Sequence, residues 1–286
     1  MIKNLLRTTA FLGMMLSSTA FAQDMSIVIP QSPGGGIHVL TNMVRTGLNA
    51  KGYNVAEVKS LNNCALAKKQ WDEATGPILT MWESPYNGVK TLECNMPMTP
   101  DTFIMVGIDL PVAFCSIKNI SLEDYKKDKK NYIVGVQRHV PHNTLFASIE
   151  KEVGNKHTLL QYKTTAEVQA ALKSGEIDFA LIGQVWSERV GAKCLWSTAS
   201  MPLENIKLLK EVWPSNPIAE GSNLVWYLAK NLNQQQIDKL RLDIREIYKS
   251  TEIVEFNNTR GYIGQNYTFD QAKKIETNSR KISEFE

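Results

Sequence analysis

The sequence predicts an α/β protein built on mostly parallel sheet, and its 286 residues suit two domains of ordinary size or one bilobed unit. Three observations carry this. After a cleavable leader the chain opens as strand, glycine-rich loop and helix. Its middle runs β-α-β-α-β. Strands such as Ser26 to Pro30 are short, largely continuous apolar runs, as expected of strands buried on both faces.

The leader is residues 1–22. Lys3 and Arg7 precede an apolar stretch from Ala10 to Phe21, which ends in Ala20-Phe21-Ala22 before Gln23. This is the layout of a secretory signal peptide. The run is too short, and too interrupted by Ser17, Ser18 and Thr19, to cross about 30 Å of hydrocarbon. A periplasmic location follows as the expectation.

Ser26 to Pro30 then reads as a strand. Pro33-Gly34-Gly35-Gly36 breaks it, and Val39, Leu40, Met43, Val44 and Leu48 form one helical stripe. Val55–Val58, Pro77–Met81 and Phe103–Ile108 read as strands, and Ala65–Trp71 as a short helix. Val112–Ile117 is an apolar crossing strand. Lys126 to Lys130 reads as a solvated face. Tyr132–Val136 is a strand, and Asn143 or Thr144 caps a helix that Gly154 stops. Thr158–Tyr162 follows; Thr164-x-x-Glu167 is a capping box for a helix ending at Gly175, and Ile177–Ile182 is the next strand. Ligands collect at the carboxyl ends of such parallel strands. Leu195–Thr198 reads as a strand leading back. Gln236–Lys249 and the segment after Thr268-x-x-Gln271 read as helices.

The formal charge of +3 falls to +1 once Lys3 and Arg7 leave with the leader. That balance excludes a general nucleic-acid binder. Cys64, Cys94, Cys115 and Cys194 are even in number in an exported chain, which favours disulfides, and four cysteines allow three pairings. Without C-x-x-C, and with wide spacing, they make no zinc site. No metal or cofactor is expected. Gly-x-Ser-x-Gly and His-Glu-x-x-His are both missing from the sequence, so a secreted hydrolase is the weaker reading and no catalytic residue is assigned.

Ser32-Pro33-Gly34-Gly35-Gly36 before a helix is the strongest local feature. Glycines admit close approach of a ligand, and the first helical N–H groups have no internal partners. With the helix dipole this suits a carboxylate or phosphate; a tight turn that binds nothing is the plain alternative. No Gly-Lys-Ser/Thr follows, and Val39 stands where a dinucleotide fingerprint needs its third glycine.

Residues 26 to 40, Ser-Ile-Val-Ile-Pro-Gln-Ser-Pro-Gly-Gly-Gly-Ile-His-Val-Leu, resemble the opening of the tripartite tricarboxylate transporter solute receptors, the Bug receptors. Tyr162-Lys163-Thr164-Thr165, Ala170 to Asp178 and the Trp226-Tyr227 segment resemble later motifs of that family, in order. The resemblance implies a two-lobed Venus-flytrap fold, with two crossing strands as hinge: a first lobe in 23–112, a second in 113–196 and a return to the first in 197–286. It implies a monomeric, non-enzymatic receptor that captures a small carboxylate and delivers it to the permease subunits of a tripartite-type membrane transporter. A flytrap that presents its ligand to a membrane signalling partner is the alternative. The ligand-binding positions it implies are Ser32, Pro33, Gly34, Gly35, Gly36, His38, Asn62 and Asn63 on the first lobe. On the second they are Gln137, Arg138, His139, Asn143, Thr144, Thr164, Gly183 and Gln184. Within that frame Cys64 pairs with Cys94 in the first lobe, and Cys115 with Cys194 near the crossing strands.

The departures from the family pattern fall at the cleft. His38 replaces an Asp, which points away from an ammonium-bearing ligand and toward a second carboxylate; His38 bonding only the first helical turn is the alternative. Leu61 to Ala65 replaces a glycine-rich loop, and Gln137-Arg138-His139 replaces small residues. Arg138 has the fork geometry for a carboxylate. His139-x-x-His142 lacks a third ligand and reads as loop histidines; His157 reads as surface. The tryptophans read as core, with Trp186 placed to wall the cleft.

Overall fold

Ile27, Val28 and Ile29 are all buried, the first and third against one helical layer and the second against the other. A strand apolar on both faces belongs inside a sheet covered on both sides. The computed structural model describes residues 24–83, 94–137, 140–154, 156–199, 202–216, 224–264 and 267–280; the leader, Arg138 and His139 lie outside them.

In chain order the elements are β1 (Ser26–Ile29), α1 (Gly36–Ala50), β2 (Val58–Ser60), α2 (Cys64–Glu73), β3 (Ile78–Glu83), β4 (Phe103–Asp109), β5 (Ala113–Ser116), α3 (Leu122–Lys127), β6 (Tyr132–Gln137), α4 (Val140–Val153), β7 (His157–Tyr162) and α5 (Thr165–Ser174). Then come β8 (Phe179–Ile182), α6 (Gln184–Glu188), β9 (Lys193–Ser197), β10 (Lys207–Leu208), α7 (Leu209–Val212), β11 (Leu224–Lys230), α8 (Gln234–Ile247), α9 (Thr251–Asn258), β12 (Ile263–Gly264) and α10 (Phe269–Arg280).

They form two six-stranded sheets, ordered β12-β4-β11-β3-β1-β2 and β10-β9-β5-β8-β6-β7. In the first, β2, β1 and β3 are parallel and β11 runs antiparallel between β3 and β4. In the second, β7, β6 and β8 are parallel and β5 runs antiparallel between β8 and β9. Each sheet has cores on both faces: one lobe packs α1 and α8 on one side and Trp71, Trp82 and Trp226 on the other. Phe114 stacks between Phe179 and Trp196 in the second lobe.

The lobes meet where Val112 O accepts Thr198 N at 2.9 Å, with Ser197 Oγ donating to the same carbonyl at 3.0 Å. The second sheet runs beyond the span 113–196, because β10 pairs with β9 and Leu209, Val212 and Trp213 join its core. The chain re-enters the first sheet at β11.

The expected cysteine pairs are the ones formed, Cys64–Cys94 and Cys115–Cys194, with Cα separations of 5.3 and 3.9 Å. The second ties β5 to β9, where the two residues are register partners. By the chain-entropy account each contributes roughly 3–5 kcal/mol. The double variant Cys115→Ser/Cys194→Ser is therefore expected to lose about that much in urea denaturation, and non-reducing peptide mapping of the wild type to recover Cys64 with Cys94.

Two sequence readings are corrected. Helix α4 starts at Val140, ahead of Asn143 and Thr144, because Pro141 fits a first helical turn, where an N–H has no internal partner. His157 is not on the surface: its side chain is wholly enclosed, with Nδ1 3.0 Å from Glu150 Oε1 and Nε2 2.8 Å from the Tyr125 hydroxyl. A neutral ring fits both partners, donating from Nδ1 and accepting at Nε2. Burial holds the His157 pKa below its ordinary value, against the opposing pull of Glu150. The unfolded chain takes up a proton near pH 6.5 and the folded chain resists it, so stability falls as pH drops from about 6.5 through the folded value. Urea midpoints at pH 7.5, 6.5 and 5.5 should show this slope, and His157→Gln, less stable at pH 7.5, should flatten it.

Candidate functional site at the interlobe cleft

The glycine loop lies at the carboxyl edge of the parallel strands of the first lobe. Gln31, two residues past β1, uses its carbonyl to hold the β2 end: Ser60 Oγ donates to it at 2.6 Å and Asn62 N at 3.2 Å. Asn62 takes a left-handed conformation, φ 49°, and its Oδ1 accepts from Ser32 Oγ at 2.5 Å. The loop is thus sewn to the next strand before it reaches the helix.

Within the loop, Gly34 N donates to His38 Nδ1 at 3.1 Å, Gly35 N to Ser32 O at 3.2 Å, and Val39 N to Gly35 O at 3.0 Å. Among the described residues the N–H groups of Gly36, Ile37 and His38 meet no protein acceptor. Gly35 is the N-cap and has no side chain to offer them. A first turn with these free donors, at the start of a 15-residue helix and its dipole, suits an anion. His38 folds back onto Gly34, the geometry of the alternative in which it braces the turn.

Two residues that the sequence did not single out complete this wall. The Tyr262 hydroxyl stands directly over Gly36, so that a side chain on Gly36 would collide with it. Burial, then Glu83, raise the Tyr262 pKa while Arg260 opposes, so the hydroxyl keeps its proton. Glu83 ends β3 with 5% exposure, and Gln31 Nε2 donates to its Oε1 at 2.9 Å.

The second lobe brings the loops after β7 and β8 to the corresponding edge of its parallel strands. Thr164 and Asn63 are engaged as N-caps, accepting from Glu167 N at 3.2 Å and Leu66 N at 2.9 Å. Gln184 Nε2 donates along its own helix to Glu188 Oε1 at 2.7 Å. Gly183 precedes α6, and α6 faces the turn that carries Tyr262. Val185 Cγ2 lies 2.9 Å from where a Cβ on Gly261 would sit, and Arg189 Nη2 is 3.4 Å from Thr259 O. Arg189 also stacks on Trp186, 4.3 Å from the ring centroid. The structure therefore sets Ser32, Gly34 to Gly36, His38 and Asn62 on one wall and Gly183 with α6 opposite. The side chains of Gln137, Asn143 and Thr144 lie outside what is described. A separate groove of about 650 Å³, lined by Asp24, Asn54, Glu57, Lys59 and Gly76, sits at the opposite, amino-terminal edge of β1 to β3.

The same two-lobed architecture recurs in solved structures. A TctC solute-binding protein from Polaromonas superposes with TM-score 0.71 at 13% identity, covering 92% of this chain and 97% of its own. The periplasmic binding protein BugD gives 0.64 at 15% identity, covering 91% and 95%. MatC from Rhodopseudomonas palustris, with bound malate, gives 0.60 at 13%, covering 92% and 98%. The chain has their two-lobed fold. No family model and no curated protein sequence matches it.

The close approach at Gly36 is testable without a ligand. Gly36→Ala is expected to cost about 1–3 kcal/mol by overpacking against Tyr262. Tyr262→Phe should restore most of that loss in a double-mutant cycle read by urea denaturation.

Proposed function

We propose that this chain is a periplasmic solute receptor that captures a small carboxylate between its lobes and passes it to the permease subunits of a tripartite-type transporter. The observation that carries the reading is the set of N–H groups of Gly36, Ile37 and His38, which meet no acceptor among the described residues, beside the Tyr262 turn that α6 of the other lobe touches. A carboxylate offers them charge-assisted acceptors. The superposed structures support it, since two of them are named as a solute-binding and a periplasmic binding protein and a third holds malate. Binding suits the site, because the cradle presents backbone donors to an anion. Among the described residues no helix is long and apolar enough to cross a membrane.

A thermal-shift screen of carboxylates, with and without amino groups, on protein freed of co-purified ligand tests the reading. A ligand at about 100 times its Kd adds about 2.7 kcal/mol of stability. Gly35→Asp gives a sharper outcome. The backbone of Gly35 is extended, φ −66° and ψ 164°, a conformation open to Asp, although a Cβ there lies 3.3 Å from Ser32 O. The variant should lose the ligand-induced shift, because its own carboxylate caps α1 and fills the cradle, while its unliganded stability changes by only about a few tenths of a kcal/mol. A panel with no shift on wild type would contradict the proposal.

A further inference from the structure

We propose that Arg189 and Arg260, one from each lobe, form an oxyanion site that bridges the lobes beside the Tyr262 turn. The site needs only the fold and the contact between the lobes, so it stands apart from the receptor reading above.

Both guanidiniums reach the same residue. Arg189, just past α6 of the second lobe, donates from Nη2 to Thr259 O at 3.4 Å. Arg260, in the turn from α9 to β12 of the first lobe, donates from Nη1 to Thr259 Oγ1 at 3.5 Å. Each also stacks on an aromatic ring of its own lobe. Arg189 lies 4.3 Å from the centroid of Trp186, and Arg260 lies 3.8 Å from that of Phe256. A ring under a guanidinium holds its plane and leaves its N–H edge open to an acceptor. The bonds to Thr259 are long, and each uses one of the five N–H groups that a guanidinium carries.

The charges at this point do not balance. Among the described residues neither guanidinium has a carboxylate partner. Glu188, next to Arg189 in sequence, instead accepts from Gln184 Nε2 at 2.7 Å. Thr259 caps the carboxyl end of α9, and a helix end of that sign attracts cations, but with only about half an elementary charge. Two full positive charges exceed it, and the contact between the lobes brings them to one residue. The charge of Arg260 extends to the Tyr262 hydroxyl, where it opposes the rise in pKa that burial causes. An oxyanion removes the surplus. A carboxylate or phosphate presents paired oxygens that match the guanidinium fork, and one such group can engage both arginines. Arg189 and Thr259 are exposed, so the anion has a way in. The chemistry required is a carboxylate or phosphate group, supplied either by a free anion or by the far end of a molecule held on α1.

Inorganic phosphate is the probe, titrated at fixed ionic strength into protein labelled with ¹⁵N-glycine. Gly261 follows Arg260, so its signal should move and saturate. In Arg189→Gln and in Arg260→Gln the affinity read from Gly261 should fall about tenfold. The double variant should lose little more than either single one, because both arginines serve one anion. Arg260→Lys keeps the charge without the fork and should fall between wild type and Gln; it also serves if the Gln form does not fold. Glutarate against butyrate then identifies the source. A loss in Arg260→Gln confined to glutarate assigns the oxyanion to the far end of the bound molecule, and equal behaviour of the two acids assigns it to a free anion. A Gly261 signal that phosphate leaves in place, or a response that both Gln variants keep, overturns the site. Either result leaves the receptor reading standing, since the carboxylate screen tests that separately.

Discussion

The structure is organised around one electrostatic constraint: a helix whose first three N–H groups meet no acceptor among the described residues, beside the turn that touches the second lobe. Unengaged donors in a partly enclosed place are costly unless water or a ligand meets them. Their position is fixed from below and from the side. The end of β1 is set by strands buried on both faces, and the loop is stitched to β2 through Gln31, Ser32 and Asn62. Tyr262 closes over Gly36 from a turn more than two hundred residues later.

The same turn lies between the candidate site and the second lobe. Gly261, left-handed at φ 68°, sits against Val185 of the other lobe, and Tyr262 beside it faces the cradle. A ligand bonded to Tyr262 thus acts on the residue adjoining the interlobe contact.

Much of the fold was legible because burial on both faces leaves continuous apolar runs, and helix caps leave polar signatures. Thr164 with Glu167 and Thr268 with Gln271 cap as their spacing indicates. The short elements were not legible. Five-residue α6 has too few residues to show a period, and β2 lies at Val58–Ser60 rather than Val55–Val58 because pairing with β1, not propensity, sets its register. His157 was misjudged because its burial comes from Tyr125, Phe146 and Glu150, which no local pattern joins. The glycine loop of the site was visible, since three glycines before an amphipathic stripe have few uses. Glu83 was not: an acid after Trp82 looks like the polar end of a strand, and only the sheet order places it inside. Some motif residues prove structural, Asp178 among them, which pairs with Lys118 and accepts from Ile133 N at 2.9 Å.

The central claim is that the first turn of α1 holds the ligand, and the amide of Gly36 reports on it directly. In a spectrum of the protein labelled with ¹⁵N-glycine, titration with whichever carboxylate stabilises it should move the Gly36 proton downfield, as a charge-assisted hydrogen bond forms. The Gly76 signal, from the groove at the far edge of the sheet, should stay in place. Movement of Gly76 with Gly36 unchanged would put the ligand in that groove and contradict the account.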